Sequence, residues 1–319
     1  MTKRRVARRR PEKNMTSLVK TTLLTASLAV LLLTHGAARG LEPEGPPSDV
    51  KDARLATILA RVGESVERYH RGMFSIAFTE TFRSEELKKD MTPKKSKEFV
   101  YESVILRESL SDETDDYFAK TVRRIKTVNG KPAKKDESGV PPVSTPGEFL
   151  NFLLPSIQKL YEISFEGEDT LRGRKALRVR VQRPGDVEPK VEWKGRSFRV
   201  GAPTLMTVWV DAESFDVLQV ESRLSEAFEF DSPRAFSAGP FGRFGPSRRL
   251  RYAREDYTVR FRPVLFKDPE QTLLLPERAE WITVIEGASR PRRRTTLSFT
   301  NYRRFVSDVK VIEESGPDE

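Results

Sequence analysis

Apolar and polar positions alternate along most of this chain with a period of two. The clearest exception comes first: Leu55, Ile58, Leu59, Val62, Val66 and Tyr69 recur at steps of three and four. That spacing places them on one face of an α-helix, predicted over Asp52–Tyr69 with Asp52 as N-cap and Gly72 as stop. The period then changes. Phe74, Ile76 and Phe78 alternate with Ser75, Ala77 and Thr79, as in a half-buried strand. A charged connection, 84–97, leads to a second strand near Phe99–Glu108. An acidic turn then opens a third strand, Tyr117–Val128, which ends at the hairpin dipeptide Asn129-Gly130. Residues 131–145 read as an exposed loop. Pro146–Leu160 reads as a second helix with Phe149, Phe152, Leu153, Ile157 and Leu160 on one side, which Pro155 can kink or split.

From Tyr161 onward the signals are nearly all β. Predicted strands are Tyr161–Glu168, Arg174–Arg183, Leu205–Asp211, Val217–Leu224, Tyr257–Pro263, Ala279–Glu286 and Thr295–Phe305. In several of them one face is apolar and the other charged: Leu177, Val179 and Val181 alternate with Arg178, Arg180 and Gln182. Likewise Tyr257, Val259 and Phe261 alternate with Thr258 and Arg260. Such strands belong to an antiparallel sheet covered on one side only. The stretch 231–249, rich in Gly, Pro and Phe, reads as an irregular loop between strands.

Composition locates the charge. The 319 residues carry a formal net charge of +10, but residues 1–40 hold nine cations and one acid, leaving +2 for the rest. The basic balance therefore describes a leader, and nucleic acid is not expected as a partner. That leader has a cationic start, the apolar run Thr21–Thr34 and a small-residue segment around Gly36–Gly40, which is the layout of a cleaved secretory signal. A 14-residue run is shorter than the roughly 20 residues needed to span a bilayer as a helix. Either Met1 or Met15 serves as initiator. The expected mature protein is periplasmic or secreted, with 41–51 as a flexible spacer, 52–310 as one domain and 311–319 as a disordered tail.

The absence of Cys excludes disulfides, thiol nucleophiles and Cys-bound metal. His70 is the only histidine beyond the leader, and no Gly-x-Ser-x-Gly elbow accompanies it, so it reads as a solvated neighbour of the helix C-terminus. The acidic run Asp112–Asp116 lacks EF-hand spacing and reads as a turn. Gly239–Gly245 lacks the Lys-Ser/Thr of a P-loop. The run Arg290–Arg294 reads as a solvated hairpin tip, with contact to anionic headgroups as its functional version. No catalytic residue, metal or cofactor is expected.

Three blocks carry a family resemblance. They are Leu171–Val179, a turn then a strand; Val208-Trp209-Val210-Asp211 followed by Val217–Glu221; and Leu275-Pro276 leading to Trp281–Ile285 and Phe299–Phe305. With the leader and first helix they resemble the lipoprotein carrier (LolA-like) superfamily. The resemblance implies a mainly β (α+β) fold, a strongly curved antiparallel sheet forming a half barrel. An N-terminal helix and one inserted helix would cover its concave side, whose hollow holds acyl chains in the characterised carriers. The candidate lining is Phe74, Ile76, Phe78, Leu177, Val179, Val181, Val208, Val259 and Phe261. Two readings follow: a non-enzymatic carrier or sensor of a lipid, acyl chain or lipidated protein, or an envelope interaction domain in which the same residues are a filled core. A hydrolase working with a carboxylate pair is a third class, and the spacing shows no such pair. Peripheral membrane contact accompanies the first reading.

Overall fold

The computed structural model describes residues 53–109, 117–134, 146–185, 188–194, 197–232, 247–267 and 270–305. The leader, the spacer, Asp112–Asp116, most of the 231–249 loop and the C-terminal tail lie outside the described residues. Helix α1 spans Ala53–Gly72. Strands β1 (Ile76–Leu87), β2 (Pro93–Ser109), β3 (Tyr117–Val128) and the two-residue β4 (Lys131–Pro132) follow as a meander. Then come two 3-10 turns, Pro146–Glu148 and Asn151–Leu153, and the single turn α2 (Pro155–Gln158). The rest is β: β5 (Glu162–Leu171), β6 (Arg174–Gln182), β7 (Lys190–Lys194), β8 (Ser197–Gly201) and β9 (Thr204–Asp211) come first. They are followed by β10 (Val217–Leu224), β11 (Phe228–Asp231), β12 (Arg249–Lys267), β13 (Glu270–Glu286) and β14 (Arg292–Arg304).

Twelve of these strands form one antiparallel sheet in the order β4-β3-β2-β1-β14-β13-β12-β10-β9-β6-β5, with β11 added alongside β12. The two ends of the path do not pair, so the sheet is not closed into a barrel. β7 and β8 make a separate hairpin. The chain's first and last described strands meet in the middle, β1 against β14.

Period-two alternation decides which face is buried. In β1, Ile76, Phe78, Glu80 and Phe82 are buried and their neighbours are not. The same face continues through Phe99 and Ile105, Leu297 and Phe299, Leu275 and Ala279, Val259 and Phe261, Val220, Val208 and Val210, to Leu177, Val179 and Val181. Burying each large side chain contributes roughly 1.5–3 kcal/mol. Helix α1 lies on this face with Ile58, Val62, Val66 and Tyr69 inward. It approaches closely at two glycines: a Cβ at Gly63 would stand 2.8 Å from Cγ of Pro155, and one at Gly72 2.8 Å from Cδ1 of Leu273.

Turn chemistry fixes the hairpins. Asn129 and Gly130 adopt φ of 49° and 75°, and Arg172 and Gly173 adopt 50° and 82°, as two-residue turns between right-twisted strands require. The charged connection expected at 84–97 is mostly strand: β1 runs to Leu87 and β2 starts at Pro93. A short turn joins them in which the Thr92 hydroxyl and amide both donate to Asp90 Oδ1.

The second helix differs from expectation. Pro155 has no N–H to donate and disfavours helical geometry in the residue before it. Leu154 is accordingly extended (φ −63°, ψ 141°), and Pro146–Leu160 breaks into two 3-10 turns and four α-helical residues. Phe149, Leu150, Phe152 and Leu153 are buried, while Leu160 is 38% exposed.

Candidate ligand-binding face

The nine candidate lining residues come together. Eight of them, from Ile76 in β1 to Phe261 in β12, join one cluster of buried side chains, and Phe74, half-buried before β1, packs against it. Two elements cover them. Helix α1 spans the β5–β10 side, pinned at its start by the Arg54–Glu168 ion pair and Arg54 over the Phe165 ring, and further along by Ser65 donating to Asp216. The segment 146–158 covers the middle. Phe149 inserts with its ring centroid 6.1 Å from that of Phe299 and 6.3 Å from that of Tyr257. Tyr69 Oη donates to the Pro146 carbonyl at 2.6 Å, and Gln158 Nε2 donates to the Leu153 and Leu59 carbonyls, tying this roof to α1. Neither Asn151–Leu153 nor α2 has a side-chain cap.

A cleft of about 140 Å³ opens where α1 meets the starts of β10 and β13, between Ser65, Arg68, Tyr69, Leu150, Asp216, Val217 and Gln271–Leu274. Leu150 of the roof forms part of its wall. Ligand pockets for small molecules run to roughly 300–1,000 Å³, so this cleft admits the tip of a chain and no more.

Polar groups on the apolar face form two sets. On the β1–β3 side, Glu80 is fully buried. Its Oε2 accepts from Arg123 Nε at 2.6 Å and from Ser103 Oγ at 3.1 Å. Burial pushes the Glu80 carboxyl up, and the guanidinium and hydroxyl pull it back. Under the roof, the rings of the cross-strand pair Tyr257 and Trp281 lie 4.8 Å apart between centroids, tilted by 32°. Tyr257 Oη and Trp281 Nε1 are both buried atoms with no hydrogen-bond partner among the described residues. Burial, then the neighbouring Tyr69 and Glu148, hold the Tyr257 hydroxyl well above its usual range. One step along the sheet, Tyr252 Oη donates to Glu255 at 2.9 Å, and burial raises that carboxyl.

His70 corrects the expectation of a solvated helix end. Burial lowers its pKa from 6.5 to about 4, and Nε2 has no partner, so the ring is neutral at physiological pH and packs edge-on to Tyr69. Among the described residues no nucleophile is bonded to it. The arginine tip also changes: Arg290 pairs with Glu86 at 2.8 Å and Arg294 with Glu85 at 3.5 Å. Acids of the charged β1 end thus face the cations of the β13–β14 hairpin. Among the described residues there is no cluster of three metal-ligating side chains, and no helix is long and apolar enough to cross a membrane.

Sequence reasoning missed Glu80, Arg123 and the paired orphans Tyr257 Oη and Trp281 Nε1. It also missed the β7–β8 hairpin, whose Trp193 and Phe198 join Phe228, Phe230 and Tyr252 in a chain of rings 4.9–6.2 Å apart. Glu80 left a readable signal, an acid in step with Ile76, Phe78 and Phe82.

No protein-family model matches the chain, and no curated protein matches it. Among solved structures it is similar to an outer membrane lipoprotein-sorting protein domain from Vibrio parahaemolyticus. The identity is 12% and the TM-score 0.34, over 80% of this chain and 94% of that one. It is similar also to a LolA superfamily protein from Nitrosomonas europaea (11%, TM-score 0.32, 78% and 95% covered). A third is a DUF1329 family protein from Desulfovibrio piger (10%, TM-score 0.31, 79% and 94% covered). What its residues do follows from their own geometry.

Proposed function

We propose that this chain is a non-enzymatic exported protein that holds an acyl chain, in a free lipid or a lipidated protein, against the apolar face of its sheet. In this reading the sheet is a half barrel. Its hollow side is lined by Phe74, Ile76, Phe78, Leu177, Val179, Val181, Val208, Val259 and Phe261. The observation that carries the reading is the nature of the cover. An apolar face many strands wide is roofed at its middle by short uncapped turns whose Phe149, Phe152 and Leu153 fill the space that a hydrocarbon chain would take. Short turns make few backbone bonds of their own, and such segments open at low free-energy cost. The cleft beside Leu150 is the natural start of that opening. The leader pattern of residues 1–40 supports export to the periplasm or beyond.

The closed interior favours one other reading, an envelope interaction domain with a permanently filled core. Mass spectrometry of organic extracts from the purified mature protein separates the two. The carrier reading expects an acyl lipid at near one per chain. Blank extracts from protein purified without detergent would move the function to the interaction domain.

A further inference from the structure

Buried donors without partners are rare, because leaving one unmade costs roughly 1–3 kcal/mol. The interior tyrosines of this protein follow that rule with one exception. Tyr69 donates to the Pro146 carbonyl at 2.6 Å, Tyr252 to Glu255 at 2.9 Å and Tyr302 to the Pro276 carbonyl at 2.7 Å. Among the described residues Tyr257 Oη donates to nothing, and the same is true of Trp281 Nε1 directly across the strand pair. His70 Nε2 and Thr121 Oγ1 also have no partner among the described residues, but neither faces a second orphan across a strand pair. Arg178 Nε stands 3.1 Å from Glu166 Oε2 in an ion pair, and the orphan Nε atoms of Arg294 and Arg304 belong to guanidinium groups that bond through a different nitrogen. Tyr257 and Trp281 have no such second donor. Both lie on the buried face under Phe149, the side chain that fills the middle of the hollow.

An O–H and an N–H donor on a largely apolar face, on rings tilted 32° with centroids 4.8 Å apart, match a single acceptor that arrives with hydrocarbon attached. We propose that Tyr257 and Trp281 are the polar anchor for the carbonyl oxygen of an ester- or amide-linked acyl group. The carbonyl takes both hydrogen bonds when the acyl chain replaces Phe149 beneath the roof. The assignment rests on the acyl-binding reading above and adds to it the chemical class of the ligand: a chain bearing a carbonyl, and not bare hydrocarbon or an ether.

The test uses three probes on the mature chain: 1-oleoyl glycerol, its carbonyl-free counterpart oleyl glyceryl ether, and an N-oleoylated peptide. The wild type is expected to prefer ester over ether by about tenfold, the worth of one to two net hydrogen bonds. In the double variant Tyr257→Phe, Trp281→Phe that preference falls to about one while the ether binds as before. Trp281→Phe removes ring volume from the core, so the double variant is expected to melt somewhat below wild type, and its unchanged ether binding separates lost recognition from lost folding. A carbonyl preference seen with the ester alone identifies free lipid as the source. The same dependence in the peptide identifies lipidated chains as well. Equal binding of ester and ether by the wild type, or a preference that survives the double substitution, overturns the anchor and leaves the acyl-binding reading standing. Failure of all three probes to bind overturns both.

Discussion

The two polar sets on the buried face solve the same problem in opposite ways. Under β1–β3, Glu80 sits in an apolar row but is met on the spot by Arg123 and Ser103, in charge-assisted contacts at 2.6 and 3.1 Å. Under β12–β13, the half-buried Tyr257 and the buried Trp281 enclose a hydroxyl and an indole N–H that meet no partner among the described residues. A closed ion pair inside a sheet fixes strand register and holds the wing shut. An open pair of donors is a cost the fold carries until something fills it. The difference fits a structural role for one wing and the proposed ligand role for the other.

The largest blow to that contrast falls on the satisfied wing. Arg123→Ala strands a buried carboxylate and is expected to cost about 3–5 kcal/mol in chemical denaturation, while Glu80→Leu with Arg123→Met recovers most of it. If the single substitution is silent, the wing is not held by this pair. Next is a pH effect from the roofed side. His70 has its pKa lowered by burial from 6.5 to about 4. The fold therefore binds its proton more weakly than the unfolded chain does. Its contribution is present above pH 6.5 and is lost as pH falls through 6.5 toward 4, by about 3 kcal/mol at most. His70→Leu should flatten that part of the stability–pH curve relative to wild type, and parallel curves would mean that the ring is solvated. A smaller effect is expected where α1 meets the roof. Gly63→Ala places a methyl 2.8 Å from Pro155 and should destabilise by about 1–3 kcal/mol, loosening 146–158 in hydrogen exchange before the strands. Smallest is Tyr257→Phe, expected within about 1 kcal/mol of wild type without ligand, because it breaks no bond. A loss comparable to that of Arg123→Ala would mean that the hydroxyl is already satisfied.

Much of this architecture is legible in residue order. β3 and β10 were predicted with the boundaries they have, since alternating faces and Asn129-Gly130 report local geometry. Where the rules are local but compete, the reading failed: Phe149, Phe152, Leu153, Ile157 and Leu160 have helical spacing, yet Pro155 withholds a donor and extends Leu154. The charged end of β1 reads as a connection because both faces there carry polar residues, whose partners, Arg290 and Arg294, come from some 200 residues away. Gathering the nine lining residues needs only the period. Whether Tyr257 Oη has a partner depends on atoms from β12, β13 and the roof together, which no periodicity contains.

The central claim is that the roof yields to an acyl chain. Hydrogen–deuterium exchange of the mature protein with and without 1-oleoyl glycerol tests it directly. The account predicts faster exchange in 146–158 on binding, with slower or unchanged exchange in β12 and β13. Binding that leaves 146–158 as protected as before, or protection spread evenly over the sheet, would contradict it.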